Sequence, residues 1–344
     1  MSAVTSGLKT RGNLIRSIRR RHPVAAFMVR RIFASVIILL VVSAVVFFAT
    51  NLLPGNMAEL ALGRDATPES LAILQTKLGL DQPVLIRYLQ WLGGILTGDL
   101  GNSAAIVVHD GATPEISKII ATPLFNSFFL AVISMIIFLP LSLSLGMLAA
   151  VRSGRKIDRA ISVITLAIGS LPEFVFGAFM IAVFFVWLHL LPPTSGVFGD
   201  AAPWSNPAGL VLPIAVLLGA VGSAAIRMIR ANMIDVLQQD YVSMARLNGY
   251  SERTVLWSYA LRNAMTTSVQ VLAANFRYMI GGLIVVEAVF AYPGIGTILV
   301  AAVKTRDVPV VASVSLILAA SYITINMLAD LIVVLATPRL RNTL

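Results

Sequence analysis

The chain has no cysteine, which rules out disulfides and thiolate-held metals. It has only three histidines, His22, His109 and His189. Long apolar runs put them in different compartments, so they cannot converge on one site. No G-x-x-x-x-G-K-[ST] phosphate loop and no G-x-S-x-G turn occurs. Any energy drawn from nucleotide hydrolysis must therefore come from another chain. No span pairs a nucleophile with a base, and no metal ligands cluster, which speaks against an intramembrane enzyme. Charge is scarce as well: 12 % of residues are Asp, Glu, Lys or Arg, against about 25 % in an average soluble domain. No internal repeat and no low-complexity tract is present.

What the chain has instead is long uncharged stretches. Ile32 to Ala58, Ile119 to Val151, Ala201 to Ile226 and Val308 to Ala329 carry no charge. Ala160 to Leu191 carries only Glu173, and Ala264 to Phe290 carries Arg277 and Glu287. About 20 helical residues cross the hydrocarbon core, and only helices and closed barrels satisfy their backbone there. Six membrane helices are predicted, over roughly 32–53, 122–151, 160–191, 209–228, 264–290 and 309–336. The fold class is all-α, with a small external helical region.

Net charge is +10, and its distribution sets the orientation. Basic residues crowd the segment before span one (Lys9, Arg11, Arg16, Arg19, Arg20, Arg21, Arg30, Arg31) and the loop between spans two and three (Arg152, Arg155, Lys156, Arg159). They also crowd the segment between spans four and five (Arg227, Arg230, Arg246, Arg253, Arg262) and the tail (Arg339, Arg341). The positive-inside rule puts these segments and both termini in the cytoplasm, as an even number of spans requires. Residues 1–29 form a basic cytoplasmic tail suited to anionic lipid, and nucleic acid is not the reading of this charge. Span one reads as a signal anchor rather than a cleaved leader, since Leu52-Leu53-Pro54-Gly55 is no small-residue cleavage site.

The external segment, 54–120, holds two helix starts. Thr67-Pro68-Glu69 supplies a cap, a first-position proline and an acid in the first turn, for a helix ending at Gly79. Asp81-Gln82-Pro83 precedes a second, whose apolar stripe is Leu85, Tyr88, Leu89, Leu92, Ile95 and Leu96. Gly98-Asp99-Leu100-Gly101 then turns the chain. The segment reads either as a cap packed on the membrane domain or as a docking surface for an external partner.

A polar island between two long apolar runs begins at Asp240 and runs through Tyr250 to Ala264, and 229–263 is the cytoplasmic segment that holds most of it. It reads as two short helices hinged at Gly249, which can adopt positive φ at low cost, with Ser251 capping the second. Tyr241, Ala245 and Asn248 share one face, and Ala245 and Gly249 are small enough for close approach. The segment is either a partner-docking surface or an amphipathic loop resting on headgroups. Charges within the membrane form the last constellation. Glu173 and Arg277 each lie about 13 residues, roughly 20 Å, into their spans from the cytoplasmic side, so the two are predicted to approach each other at mid-membrane. Glu287 lies farther out, and Asp330 near the inner end of span six. Such charges cost at least ~2.5–3.5 kcal/mol near the bilayer centre and face protein or a cavity. They read as a structural ion pair or as a pathway lining.

The island resembles the coupling segment of permeases of binding-protein-dependent ABC importers, with consensus E-A-A-x3-G-x9-I-x-L-P. Aligned on Gly249, the consensus falls on Ser243, Met244, Ala245, Gly249, Tyr259, Leu261 and Arg262, of which Ala245, Gly249 and Leu261 match. Ala245-Arg246-x-x-Gly249 with Leu261-Arg262-Asn263-Ala264 is the form of the dipeptide/oligopeptide branch. Further stretches are similar to that branch: Leu52-Leu53-Pro54-Gly55, Leu78-Gly79-Leu80-Asp81-Gln82-Pro83, Gly98-Asp99-Leu100-Gly101, Val286-Glu287-x-Val289-Phe290-x-Tyr292-Pro293-Gly294-x-Gly296, and Asp330 with Pro338-Arg339. The likeness covers the chain from about residue 30, so that 30–344 corresponds to a type I importer transmembrane domain. It implies a bacterial inner-membrane subunit with a second, homologous permease, two cytoplasmic ATPase subunits holding ATP and Mg, and an external substrate-binding protein. Asp240, Tyr241, Ala245, Arg246, Asn248, Gly249, Leu261, Arg262 and Asn263 would meet the ATPase. Glu173, Arg277, Glu287 and Asp330 would line the pathway or pair within the membrane. Dipeptides or oligopeptides are the implied cargo. Nickel, sugars, haem or glutathione are carried by similar permeases, and an ion-coupled secondary transporter using Glu173, Glu287 and Asp330 is the alternative of another class.

Overall fold

A computed structural model describes residues 23–52, 67–77, 81–103, 115–197, 199 and 201–336. The basic tail through residue 22, Leu53-Pro54-Gly55, Leu78-Gly79-Leu80 and Pro338-Arg339 lie outside the described residues. In chain order the helices are α1 (Pro23–Leu52), α2 (Pro68–Lys77), α3 (Val84–Thr97), α4 (Ile116–Val151), α5 (Lys156–Gly169), α6 (Glu173–Ile181), α7 (Pro207–Leu237), α8 (Asp240–Leu247), α9 (Arg262–Val289), α10 (Ile295–Lys304) and α11 (Val308–Ala336). Within the described residues α1, α4, α7, α9 and α11 are each long and apolar enough to cross a membrane.

Span three departs from the sequence reading. It is not one helix but α5 and α6, bent by 109° at Ser170-Leu171-Pro172. Proline has no N–H to donate and disfavours helical backbone in the residue before it, so Pro172 stops α5 and starts α6. The straight-helix depth assigned to Glu173 therefore fails: Glu173 is the first residue of α6, at the break itself. A π-helical segment, Ala182–Trp187, continues α6 to its far end.

The core is built around α7, which packs against α4, α5, α6 and α9. Val216, Leu217, Leu130, Val286, Phe290 and Tyr292 form its centre. Small residues let these backbones approach, as membrane helices require in place of a hydrophobic drive. A Cβ at Gly146 of α4 would sit 2.7 Å from the Ile229 side chain of α7, and one at Gly219 would meet Phe176 at 2.5 Å. α1 lies at the edge, against α11 and α3. α10 is ten residues long, roughly 15 Å, and too short to cross; it tucks between α9, α4 and α11.

The two external helices form where their starts predict, over Pro68–Lys77 and Val84–Thr97. The stripe assigned to α3 is only half right. Tyr88, Leu92 and Ile95 are half-buried against the membrane domain, whereas Leu85, Leu89 and Leu96 are exposed. Gly98, left-handed at φ 86, ends the helix. The following turn is stitched to the membrane domain: Ser313 Oγ donates to Leu100 O (3.2 Å), Ile116 N to Gly101 O (2.9 Å) and Ser103 Oγ to Asp307 (2.5 Å).

Candidate coupling surface

At the end of α7 the chain reverses through Gln238 and Gln239 into α8. Asp240 sits in the first turn and Arg246 in the last, each the sign the helix dipole favours. Gly249, at φ 79, closes α8; its N–H reaches Arg246 O (3.0 Å), and Tyr250 N reaches Ala245 O (3.3 Å). Ser251 then caps the next helix, its Oγ accepting from Thr254 N at 3.3 Å. Arg246 Nε donates across the turn to Glu252 Oε1 at 2.8 Å. The corner at Gly249 is thus held by side chains on both of its arms.

The second arm is not a short helix. A single turn, Glu252–Thr254, and a π-helical segment, Val255–Leu261, run without a break into α9. One short helix, α8, is therefore joined directly to the head of span five. Burial also reverses one assignment. Ala245 faces inward with Val242, and the two pack on Val255, Leu237 and Tyr259. The exposed edge consists of Tyr241, Met244, Leu247 and Asn248 instead, with Leu247 81 % and Met244 57 % exposed. Met244, Leu247, Tyr250 and Trp257 were not singled out from the sequence, although an apolar pair three residues apart in a polar island is a legible signal. The Tyr250 and Tyr259 rings lie 5.5 Å apart, and hydrogen bonding to Tyr250 raises the Tyr259 pKa above its ordinary value. Arg262 is exposed, Leu261 half-buried, and Asn263 Nδ2 donates to Tyr259 O at 2.9 Å.

Beneath this surface lies a pair that sequence reasoning missed. Asp158, in the first turn of α5, accepts from Arg230 Nε (2.5 Å) and Nη2 (2.8 Å) of α7, and from Gly154 N (2.9 Å). This two-point geometry is the strong form of a charge-assisted hydrogen bond. It fastens the loop between spans two and three to the stem of α7 that carries α8.

Of the four intramembrane charges, Glu173, Glu287 and Asp330 lie in separate neighbourhoods. Glu173 lies against the backbone of Gly282 in α9: a Cβ there would meet its carboxylate at 2.8 Å. The Arg277 side chain lies outside the described residues; its position in α9 is about 140° round the helix and roughly 7.5 Å from Gly282. Glu287 is fully buried and, among the described residues, joins no ion pair. Its carboxylate accepts from Ser127 of α4 and from Gly296 N (2.7 Å) in the first turn of α10. Gly294 is shaped to it, since a Cβ there would strike the Glu287 carboxyl group. Ser127 Oγ also accepts from Ile295 N (2.8 Å), Asn126 Nδ2 donates to Pro293 O (2.9 Å) and Tyr292 Oη to Asn126 O (2.8 Å). Asp330 accepts from Arg31 Nε at 2.7 Å, joining α11 to α1.

The family of binding-protein-dependent transport system inner membrane components matches residues 142–342, a range that holds α5 to α9 and the whole Gly249 corner. This chain belongs to that family. The N-terminal component of binding-protein-dependent transport system membrane proteins matches residues 24–108. A probable peptide ABC transporter permease protein of Sinorhizobium fredii is 32 % identical over 317 residues, 92 % of this chain and 99 % of that protein. The glutathione transport system permease protein of Salmonella choleraesuis is 32 % identical over 92 % of this chain and 98 % of its own length. Among solved structures, the methionine ABC transporter MetNI in inward facing conformations aligns with a TM-score of 0.49 and 17 % identity, over 64 % of this chain and 96 % of that one. The chain is thus a multi-pass inner-membrane permease subunit of an ABC importer, with the all-helical membrane domain of that family.

Proposed function

We propose that this permease carries peptides inward and takes its drive from cytoplasmic ATPase subunits that grip α8. The observation that carries the reading is the exposed Met244–Leu247 edge on a short helix whose other face is packed and whose C-terminal end is clamped. An apolar edge presented by a rigid element suits insertion into a groove on a partner. ATP and Mg belong to those partners, and the basic segments and both termini share their side of the membrane. A homologous permease forms the other half of the pathway, and a binding protein delivers cargo on the opposite side. Peptide cargo follows from the branch motifs and from the relatives' names; glutathione, itself a small peptide, falls in the same chemical class.

Glu173 belongs to the passage in this reading. The break at Ser170-Leu171-Pro172 is exposed, and irregular backbone at membrane depth is tolerated only against protein or water. A carboxylate there suits the cationic end of a peptide.

Gly249→Val tests the drive. A β-branched residue at φ 79 costs roughly 1–2 kcal/mol and turns α8 away from its seat. In the reconstituted complex, ATP hydrolysis should persist while peptide uptake per ATP falls at least tenfold. Uptake at the parental ratio removes α8 from the coupling path, and native mass spectrometry of the same complex reads partners and cargo directly.

A further inference from the structure

We propose that α3 is a lipid-embedded interfacial helix, lying in the membrane leaflet opposite the coupling segment with Leu85, Leu89 and Leu96 among acyl chains. Its inner face fixes the depth. Tyr88 Oη lies 2.9 Å from Ser43 Oγ of α1, and Ser43 is eight residues from the Asn51 end of span one, about 12 Å along the helix. Phe47 lies between Tyr88 and Trp91, with ring centroids at 5.5 and 5.4 Å. Trp91 Nε1 donates to Ser313 Oγ of α11 at 3.4 Å, five residues or roughly 8 Å inside the start of that helix. The helix rests alongside two membrane spans, below their ends, rather than on top of them.

The rest of its circumference divides into two flanks. At about 100° per residue, Leu85, Leu89 and Leu96 fall within about 40° of one another. Gln90, Thr97 and Arg87 fall about 100–180° round from them. The leucines are 60 %, 58 % and 82 % exposed. The neighbouring α1 carries exposed apolar residues too, Val41 and Val45 being more than half exposed. Arg87 is the single charge in the helix. One face thus meets protein, one is leucine and one is polar, the three-way division of a helix lying in the plane of an interface against a bundle. Water would leave the leucine flank uncovered. Hydrocarbon covers it and leaves Gln90 and Thr97 toward the headgroups. This holds whatever the cargo.

The chain lacks cysteine, so single spin labels can be placed without removing native thiols. Leu89→Cys, Leu96→Cys and Gln90→Cys are labelled in the full permease complex, with cysteine-free partners, in phospholipid nanodiscs. Power saturation then compares oxygen, which partitions into lipid, with a water-soluble nickel chelate. Labels at 89 and 96 should favour oxygen over nickel at least threefold, and the label at 90 should reverse that order. Leu85→Cys gives the same reading should a neighbouring variant fail to assemble. Equal nickel access at all positions places the helix in water and overturns the assignment. Shielding of the leucine positions from both reagents assigns the flank to a protein partner and overturns it equally.

Discussion

Asp158 shows how much of a machine can hang on one side chain. Its carboxylate is almost fully buried, and both of its oxygens are occupied by Arg230 and Gly154. Removing one member of such a pair strands the other, at about 1–3 kcal/mol for a buried group left without its partner and more when it is charged. Arg230→Gln is expected to lower the midpoint of thermal unfolding of the purified complex and to depress transport. Asp158→Asn should do the same, and the double substitution should cost less than the sum, the signature of a direct interaction. Strict additivity in that cycle would deny the pair its role. Asp158 is hard to find in the sequence because it stands among Arg152, Arg155, Lys156 and Arg159. Read as a string, it looks like dilution of a basic loop. Folding turns it inward while its neighbours stay in solvent.

At the scale of elements, the turn between α9 and α10 is organised by a single buried carboxylate. Glu287 holds the start of α10 through Gly296 N and reaches α4 through Ser127. Glu287→Ala should release α10, speeding hydrogen exchange across Ile295–Lys304 at least tenfold and letting trypsin cut at Lys304 and Arg306. Glu287→Gln, which keeps an acceptor, should retain most of the protection. An alanine variant with parental exchange would mean that Ser127 and Tyr292 hold the turn unaided. The V-E-x-V-F-x-Y-P-G-x-G run was readable as a motif, but its purpose was not, because Asn126 and Ser127 meet it from a helix some 160 positions away in the chain. Span three failed for another reason. Hydropathy sums across Leu171 and Pro172 as though the run were straight, and a proline within an apolar stretch reads as either a kink or a break. Both behaviours occur here: Pro123 and Pro140 lie inside α4 without ending it, while Pro172 ends α5. The external helices and the Ser251 cap were legible, since their signals lie within a few residues of the structure they specify.

For the whole molecule, the first and last membrane helices are tied by Arg31 and Asp330. The ends of the described chain thereby hold each other at the edge of the bundle, with α11 also packed on α9 and α10. Charge bias predicts the orientation, and the lack of cysteine makes it measurable. A single cysteine replacing Ser243 should react with a membrane-impermeant maleimide only in inside-out vesicles, and one replacing Gln90 only in right-side-out vesicles. The opposite result would invert the topology and move α8 out of reach of any cytoplasmic ATPase. The join between α8 and span five has a further consequence. Val255–Leu261 is wound as a π-helix, which accommodates more residues per turn than an α-helix does. The wide turn absorbs an extra residue, so losing one there would let regular winding resume with the upstream arm facing nearly as before, whereas losing one from the regular helix behind it would swing that arm by about 100°. The bearing of α8 is thus written partly in the number of residues behind it, as the pitch of a screw thread sets where its head comes to rest.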